Sequence, residues 1–452
     1  MNFKSGNIEF FLLLIISSIA VAILPNFFST IEPDSLGYIN NSVSRKSLYP
    51  IVLDFLRVTE TDNHFNIRIF QILIQCSSII FLVQSFKRAN LIRYTSLILY
   101  FLIFFNIYYV SFSKTILTES LFFSFINFSV GVIIKIIFEN KNKFFLLGIC
   151  LGFVCAIKSI GITLSLSFLL LLIFIKKPCK KRLMGLFFGI IIFPTIEFAY
   201  QKDFNKNDMH NSIIYRSILG KVFMISGKEH FDVSQFDKEN SEFLNKLRNE
   251  SVAINVFLNK VRNPYLFFDL LADYEVIGQY QVIDLNIETK ERLRGLFFEI
   301  IKTYPKDYLK ISLSHYLGLW LPGSKRIFLP NLKHDSFLKE IPSNSKLERV
   351  TGDILNVPKL FLLTNLIFFN LIFIFFSFCT LFTLKRIFSF KANTLDLIIV
   401  SIQLYLVCVA FLNVSTPRYF MAIYPLTLVI LATKFEELFY FTLRKLFPKL
   451  YH

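Results

Sequence analysis

Runs of about 20 predominantly apolar residues, rich in Phe, Leu and Ile, recur along this chain, each near the length a helix needs to cross the roughly 30 Å of hydrocarbon in a bilayer. Inside lipid only helices and closed barrels satisfy every backbone N–H and C=O. Barrel strands alternate inward and outward residues, whereas these runs are continuously apolar, so helices are expected. The hydrophobic share of 54% over 452 residues and a mean hydropathy of +0.55 exceed what a soluble core of that size would bury. The expected fold class is therefore an all-α polytopic membrane protein.

Windows of about 19 residues place spans near residues 8–28, 67–86, 91–111, 115–138, 144–157, 160–175, 183–200, 359–384, 395–413 and 418–435, about ten transmembrane helices. The fifth and sixth are short and joined tightly at Lys158, so a tilted hairpin or re-entrant pair is an alternative there. The first run also carries Ala20-Val21-Ala22, a pattern suited to signal cleavage, but it is long for a signal and Lys4 is a weak leading charge, so a retained span is preferred.

Orientation follows from Lys and Arg in short loops. Lys87, Arg88 and Arg93 mark one loop, Lys141 and Lys143 another, then Lys176, Lys177, Lys180, Lys181 and Arg182, then Lys385, Arg386 and Lys391, and finally Arg444, Lys445 and Lys449. With ten spans all of these share a side with the N-terminus, which places both termini in the cytoplasm. The same rule accounts for the net charge of +17, so no nucleic-acid partner is expected. The opposite face receives short connections near Ser113, Lys158 and Ser415 and two long segments, 29–66 and 201–358. The chain thus divides into an N-terminal bundle over 1–200, an extracytoplasmic domain over 201–358 between the seventh and eighth spans, and a C-terminal bundle over 359–452.

The domain is expected to be mostly helical, with helical patterning near 237–262 and 289–302 and turns at Asn263-Pro264, Pro322-Gly323 and Ser343-Asn344. Residues 307–321 mix Lys310 and His315 with Tyr308, Leu313, Tyr316 and Leu319, which suits a helix in the membrane interface with Trp320 as its anchor.

Several classes are disfavoured by what the chain lacks. It carries no P-loop, no G-x-G-x-x-G and no H-x-x-x-H zinc spacing among His210, His230, His315 and His334. Cys76, Cys150, Cys155, Cys179, Cys379 and Cys408 lie in or beside apolar runs, so no disulfide framework is indicated.

The residues that could carry chemistry gather on the outer face. Glu32-Pro33-Asp34 directly follows the first span, and two carboxylates held at the membrane surface suit a general base or a divalent-cation site. Glu119 is expected about one turn inside the fourth span, where an inserted carboxylate has a cost and so faces a polar cavity or snorkels beside Lys114. Lys158, at an outer turn, and Arg418, opening the last span, can each grip a phosphate or anchor to lipid headgroups. These residues come from distant parts of the chain, and the topology puts them all on one face, a pattern suited to an anionic lipid-linked substrate.

With EPDSLGYI and RKSLYP in the first outer segment, TESLFF in an early span, a large outer domain between late spans and the closing PRYFMAIYPL, the chain resembles the GT-C superfamily of membrane glycosyltransferases, which includes protein O-mannosyltransferases and the aminoarabinose transferases of lipid A. The resemblance implies transfer of a sugar from a polyprenyl-phosphate donor to a glycan, lipid or protein acceptor outside the cytoplasm, in membrane lipid. Family members often carry adjacent acidic residues in the first loop, whereas Pro33 separates Glu32 from Asp34 in this chain. The resemblance implies Asp34, with Glu32, as the catalytic pair, and Tyr38, Arg45, Glu119, Lys158, Arg418 and Tyr419 as substrate-binding residues. The departure at Pro33 leaves open which carboxylate is the base and whether a divalent cation (Mg or Mn) takes part, for which Glu32 and Asp34 would be the ligands. Direct displacement would invert the anomeric centre. With the Phe, Ile, Lys and Asn bias of an AT-rich genome, the expected location is a bacterial inner (plasma) membrane. A lipid-linked oligosaccharide flippase would instead place charges near the middle of several spans, and a polysaccharide polymerase would carry Arg-rich outer loops.

Overall fold

Each of the ten apolar runs lies on a helix or a pair of helices in the computed structural model, which describes residues 5–26, 30–40, 46, 48–58, 64–176, 178–203, 219–284, 290–321, 359–412 and 418–446. No strand occurs among the described residues. The helices are α1 (Ser5–Ile23), α2 (Pro33–Ile39), α3 (Leu48–Phe55), α4 (Phe65–Arg88), α5 (Ser96–Phe104), α6 (Ile107–Ser111), α7 (Glu119–Phe138), α8 (Phe144–Ile157), α9 (Gly161–Lys176) and α10 (Lys180–Asp203). A helical stretch over 219–226, α11, is followed by α12 (Lys238–Lys260), α13 (Pro264–Asp284), α14 (Lys290–Thr303) and α15 (Pro305–Gly318). The chain closes with α16 (Lys359–Phe388), α17 (Thr394–Leu412), α18 (Arg418–Met421) and α19 (Tyr424–Leu446).

Five of these helices, α4, α7, α10, α16 and α17, are long and apolar enough to cross a membrane, or six with α5 and α6 counted as one span bent by 59°. Parts of α1, α8 and α9 are apolar but shorter. Large apolar side chains such as Ile16, Phe188, Phe198 and Phe382 stand more than 60% exposed on these helices, as lipid-facing residues would. The chain is an integral membrane protein.

Two compact units are present, residues 1–206 with 371–405 and 420–452, and residues 207–370 with 406–419. In the first unit α8 and α10 meet through glycines. A Cβ on Gly189 would lie 2.5 Å from the Phe145 carbonyl oxygen, and one on Gly152 would lie 2.5 Å from that of Ile190. Gly148-x-x-x-Gly152 and Gly185-x-x-x-Gly189 are small-residue seams that let backbones approach within lipid. Gly189→Ala is expected to lower the apparent thermal midpoint in detergent, since overpacking costs about 1–3 kcal/mol. Gly185→Ala is the control. Its Cβ would find its nearest neighbour at 3.9 Å, so it is expected to leave the midpoint unchanged or raise it.

Two helices of this unit start under a carboxylate borrowed from far along the chain. Glu436 of α19 accepts from the N–H groups of Arg93, Tyr94 and Thr95 and from the Thr95 hydroxyl, at 2.7–3.0 Å, which fixes the segment leading into α5 and places a negative charge at its start. Glu197, buried within α10, accepts from the Leu48 N–H at 2.5 Å and so caps α3.

In the second unit α11 to α15 surround a core that includes Phe223, Leu244, Leu258, Leu270, Tyr274 and Ile300. The expected turn at Asn263-Pro264 separates α12 from α13, with the Asn263 Oδ1 accepting from the Tyr265 and Leu266 N–H groups. The turns expected at Pro322-Gly323 and Ser343-Asn344 lie outside the described residues. The anchoring role expected of Trp320 is corrected, because its ring is 1% exposed and packs inside the protein near Tyr316. At the sequence level an aromatic ring beside an amphipathic helix reads alike whether it faces lipid or core.

Candidate active site

The acidic segment after α1 forms a short helix because its sequence supplies a start signal. Pro33 takes the first helical position, where a missing N–H costs nothing, and Glu32 is the N-cap. The Glu32 N–H donates to the Ser35 hydroxyl at 2.9 Å, and the Ser35 N–H donates to the Glu32 carbonyl at 2.8 Å. Asp34 follows in the first turn of α2, half-buried, where the helix dipole favours a negative charge. The two carboxylates therefore differ. Glu32 closes the start of the helix, and Asp34 stands on its first turn.

Tyr38, one turn after Asp34, packs edge-on against Tyr49 of α3, with ring centroids 5.2 Å apart. The Tyr49 hydroxyl accepts from the Gln71 amide of α4 at 3.2 Å, and the same amide donates to the Leu117 carbonyl at 3.0 Å, two residues before Glu119. Burial, then Tyr38 and the charge of Glu119, push the Tyr49 hydroxyl well above the usual tyrosine range, against the bond from Gln71. The start of the acidic segment is tied to the same place. The Ile116 N–H donates to the Thr30 carbonyl at 3.0 Å, and the Lys114 ammonium donates to the Leu24 carbonyl.

Residues 111–120 are buried without interruption and bend the chain between α6 and α7. Glu119 is the first residue of α7 instead of lying a turn inside a span, because the helix starts only after the Thr115–Thr118 bend. Its carboxylate meets the Lys158 ammonium at 2.7 Å, with the two side chains 2% and 14% exposed. Lys158 is the C-cap of α8 and lies 5.7 Å from the Phe122 ring centroid.

At this burial the pair is poorly screened. Lys158→Met is expected to destabilise the fold by about 3 kcal/mol by stranding the Glu119 charge, and Lys158→Met with Glu119→Gln is expected to recover most of it. A thermal-unfolding double-mutant cycle in detergent checks this.

The remaining expected residues are placed differently. Arg45 lies outside the described residues. Arg418 opens α18 with its guanidinium 5.7 Å from the Tyr419 ring centroid, and both belong to the second unit. Among the described residues no three of His, Cys, Asp or Glu gather as a metal cluster.

The RKSLYP segment proves to be a clasp. The Lys46 ammonium donates to the Cys155 carbonyl at 3.0 Å while Leu48 meets Glu197. Burial lowers the pKa of Lys46, with Glu197 opposing. Neither Glu197 nor Gln71 was expected at the site. A carboxylate inside the apolar run FPTIEFAY was the available signal for the first.

A helical membrane protein with paired charges at the start of an early span defines a class, and the comparison with protein families places a family beside it. The model described as dolichyl-phosphate-mannose-protein mannosyltransferase matches residues 44–209, and the match bears out the resemblance to the GT-C superfamily. Lys46, Tyr49, Gln71, Glu119, Lys158 and Glu197 lie within the matched segment, while Glu32, Asp34 and Arg418 lie outside it. No curated protein and no solved structure gave a significant match.

Proposed function

We propose that the protein transfers a sugar from a polyprenyl-phosphate donor to an acceptor hydroxyl on the extracytoplasmic face of a bacterial inner membrane. The observation that carries this reading is the buried Glu119–Lys158 pair, tied through Leu117, Gln71 and Tyr49 to the helix that bears Asp34, within and beside a segment matching a mannosyltransferase family. Asp34 accepts the acceptor's proton as its oxygen attacks the anomeric carbon. The bond from that carbon to the phosphate oxygen breaks, and the anomeric centre inverts. Charge then grows on the departing polyprenyl phosphate, where a fixed cation in a partly dehydrated site stabilises it, and Lys158 takes that role. Glu119 orients Lys158. Tyr38 and Arg45 complete the substrate contacts. Glu32 and Asp34 are the residues that would hold a divalent cation were one to take part, and no step is derived through it.

The test is release of polyprenyl phosphate by purified protein from a panel of polyprenyl-phosphate sugars, mannose first, with protein and glycan acceptors. Turnover of one donor is expected. Movement of a lipid-linked glycan across liposomes with no donor turned over would replace the transferase by a flippase.

A further inference from the structure

In the second unit, α15 carries a stripe of exposed leucines, Leu309, Leu313 and Leu317, at 46%, 50% and 40% exposure, spaced one turn apart. Lys306 and Lys310 fall on the same face at helical spacing, both exposed. Its opposite face, with Tyr308, Ile311 and His315, is buried. A charged stem beside a leucine stripe is the pattern of a helix lying along a membrane surface, where lysines snorkel.

The position of α15 agrees with this. The Tyr308 hydroxyl donates to the Phe411 carbonyl at 2.5 Å, and the two rings meet edge-on at 6.2 Å. Phe411 is the penultimate residue of α17, a helix long and apolar enough to cross a membrane. The end of such a helix is where hydrocarbon gives way to headgroups, so α15 is attached at that level.

Beside the stripe opens a pocket of about 70 Å³. Its polar lining is Lys228, Asn255, Asn259, Asp307, Lys310 and Ser314. Its two ammonium groups exceed its single carboxylate, and Asp307 is already engaged by His230 at 2.8 Å. Asn255 is committed to the Met224 and Ser251 carbonyls. Burial and then the neighbouring Lys310 lower the pKa of the half-buried Lys228, with Asp307 opposing, as expected of two cations sharing one counter-charge. The space exceeds the roughly 30 Å³ share of one water, so it admits a group of a few heavy atoms.

We infer that α15 lies in the membrane interface and that the Lys228–Lys310 pocket holds the phosphate of a bilayer lipid whose chains run along the leucine stripe. Lys228 and Lys310 supply the charge, and the inference is independent of the sugar chemistry.

The test uses the full chain in detergent, titrated calorimetrically with dihexanoyl phosphatidylglycerol, with dihexanoyl glycerol lacking the phosphate, and with inorganic phosphate. The phospholipid is expected to bind most tightly, and the exposed-site variant Lys310→Gln to weaken it about tenfold, with Lys228→Gln adding to the loss. Circular dichroism and monodispersity confirm that both variants fold. Equal binding of the phosphate-free lipid, or unchanged phospholipid affinity in the two variants together, would overturn the pocket assignment. Inorganic phosphate binding as tightly as the phospholipid would overturn the lipid as its source.

Discussion

Asp34→Asn is expected to bind a polyprenyl-phosphate sugar as the parent protein does and to turn it over about 10²–10⁴-fold more slowly. Asparagine keeps the size of the side chain and leaves Pro33 and the Glu32 cap untouched, so α2 should form as before. What it loses is the capacity to accept a proton from the attacking hydroxyl. The loss should fall on kcat, because a base acts in the transition state more than in binding. Glu32→Gln is the informative companion. Its main-chain bonds to Ser35 survive the substitution, so α2 should form as before and kcat should stay near that of the parent. If Asp34→Asn keeps its kcat while Glu32→Gln loses it, the roles of the two carboxylates are exchanged.

Glu275→Gln is expected to destabilise the second unit by about 3–5 kcal/mol, the usual loss when one partner of a buried ion pair is removed. Glu275 of α13 lies between His315 at 2.6 Å and Lys221 at 3.5 Å, and all three side chains are 0% exposed. One carboxylate serves two nitrogen groups. Lys221 supplies the positive charge and burial keeps His315 neutral, its ring donating to Glu275. Lys221→Met with Glu275→Gln should restore most of the midpoint, because it removes the stranded ammonium.

The same three groups give a pH dependence of definite sign. Burial lowers the His315 pKa from 6.5, with Glu275 opposing. Burial works against the ionised Glu275, yet His315 and Lys221 hold its carboxyl below 4.5. Burial lowers Lys221 from 10.5, again with Glu275 opposing. In each case the unfolded chain binds the proton at a higher pH than the fold does, so stability falls as pH falls. Between pH 7 and 5 the main loss comes from His315, beginning near its unfolded value of 6.5. Thermal midpoints of the parent should drop across that interval, and His315→Gln should flatten the profile. A parent midpoint that rises on acidification would mean that His315 is charged in the fold.

The apolar runs were legible because a spanning helix imposes length and hydropathy on its own residues, and among the described residues five helices, or six with the bent pair, have that length. The helices of the second unit near 238–260 and 290–303 were legible for a related reason, their amphipathic period. The pairing of Glu119 with Lys158 could be anticipated only as a shared face, since a sequence separation of 39 says nothing of distance. Lys221, Glu275 and His315 were not legible at all. Their partnership depends on how three helices pack, and no spacing announces it. Glu197 was legible by the argument applied to Glu119, a carboxylate where hydrocarbon would otherwise surround it. Gly148, Gly152 and Gly189 left a readable signal too, because only a residue without a Cβ allows such backbone approach.

The shortness of α8 bears on how a lipid-borne substrate arrives. Its 14 residues rise about 21 Å, some 9 Å less than the hydrocarbon thickness of an ordinary bilayer. A helix this short is accommodated by thinning of the surrounding bilayer or by seating its end beneath the headgroup plane. Either way Lys158, which terminates α8, would lie closer to the hydrocarbon than the end of a full-length span does. If the proposed transfer takes place, mismatch between one helix and its solvent becomes a means of substrate access, and thicker bilayers should slow turnover.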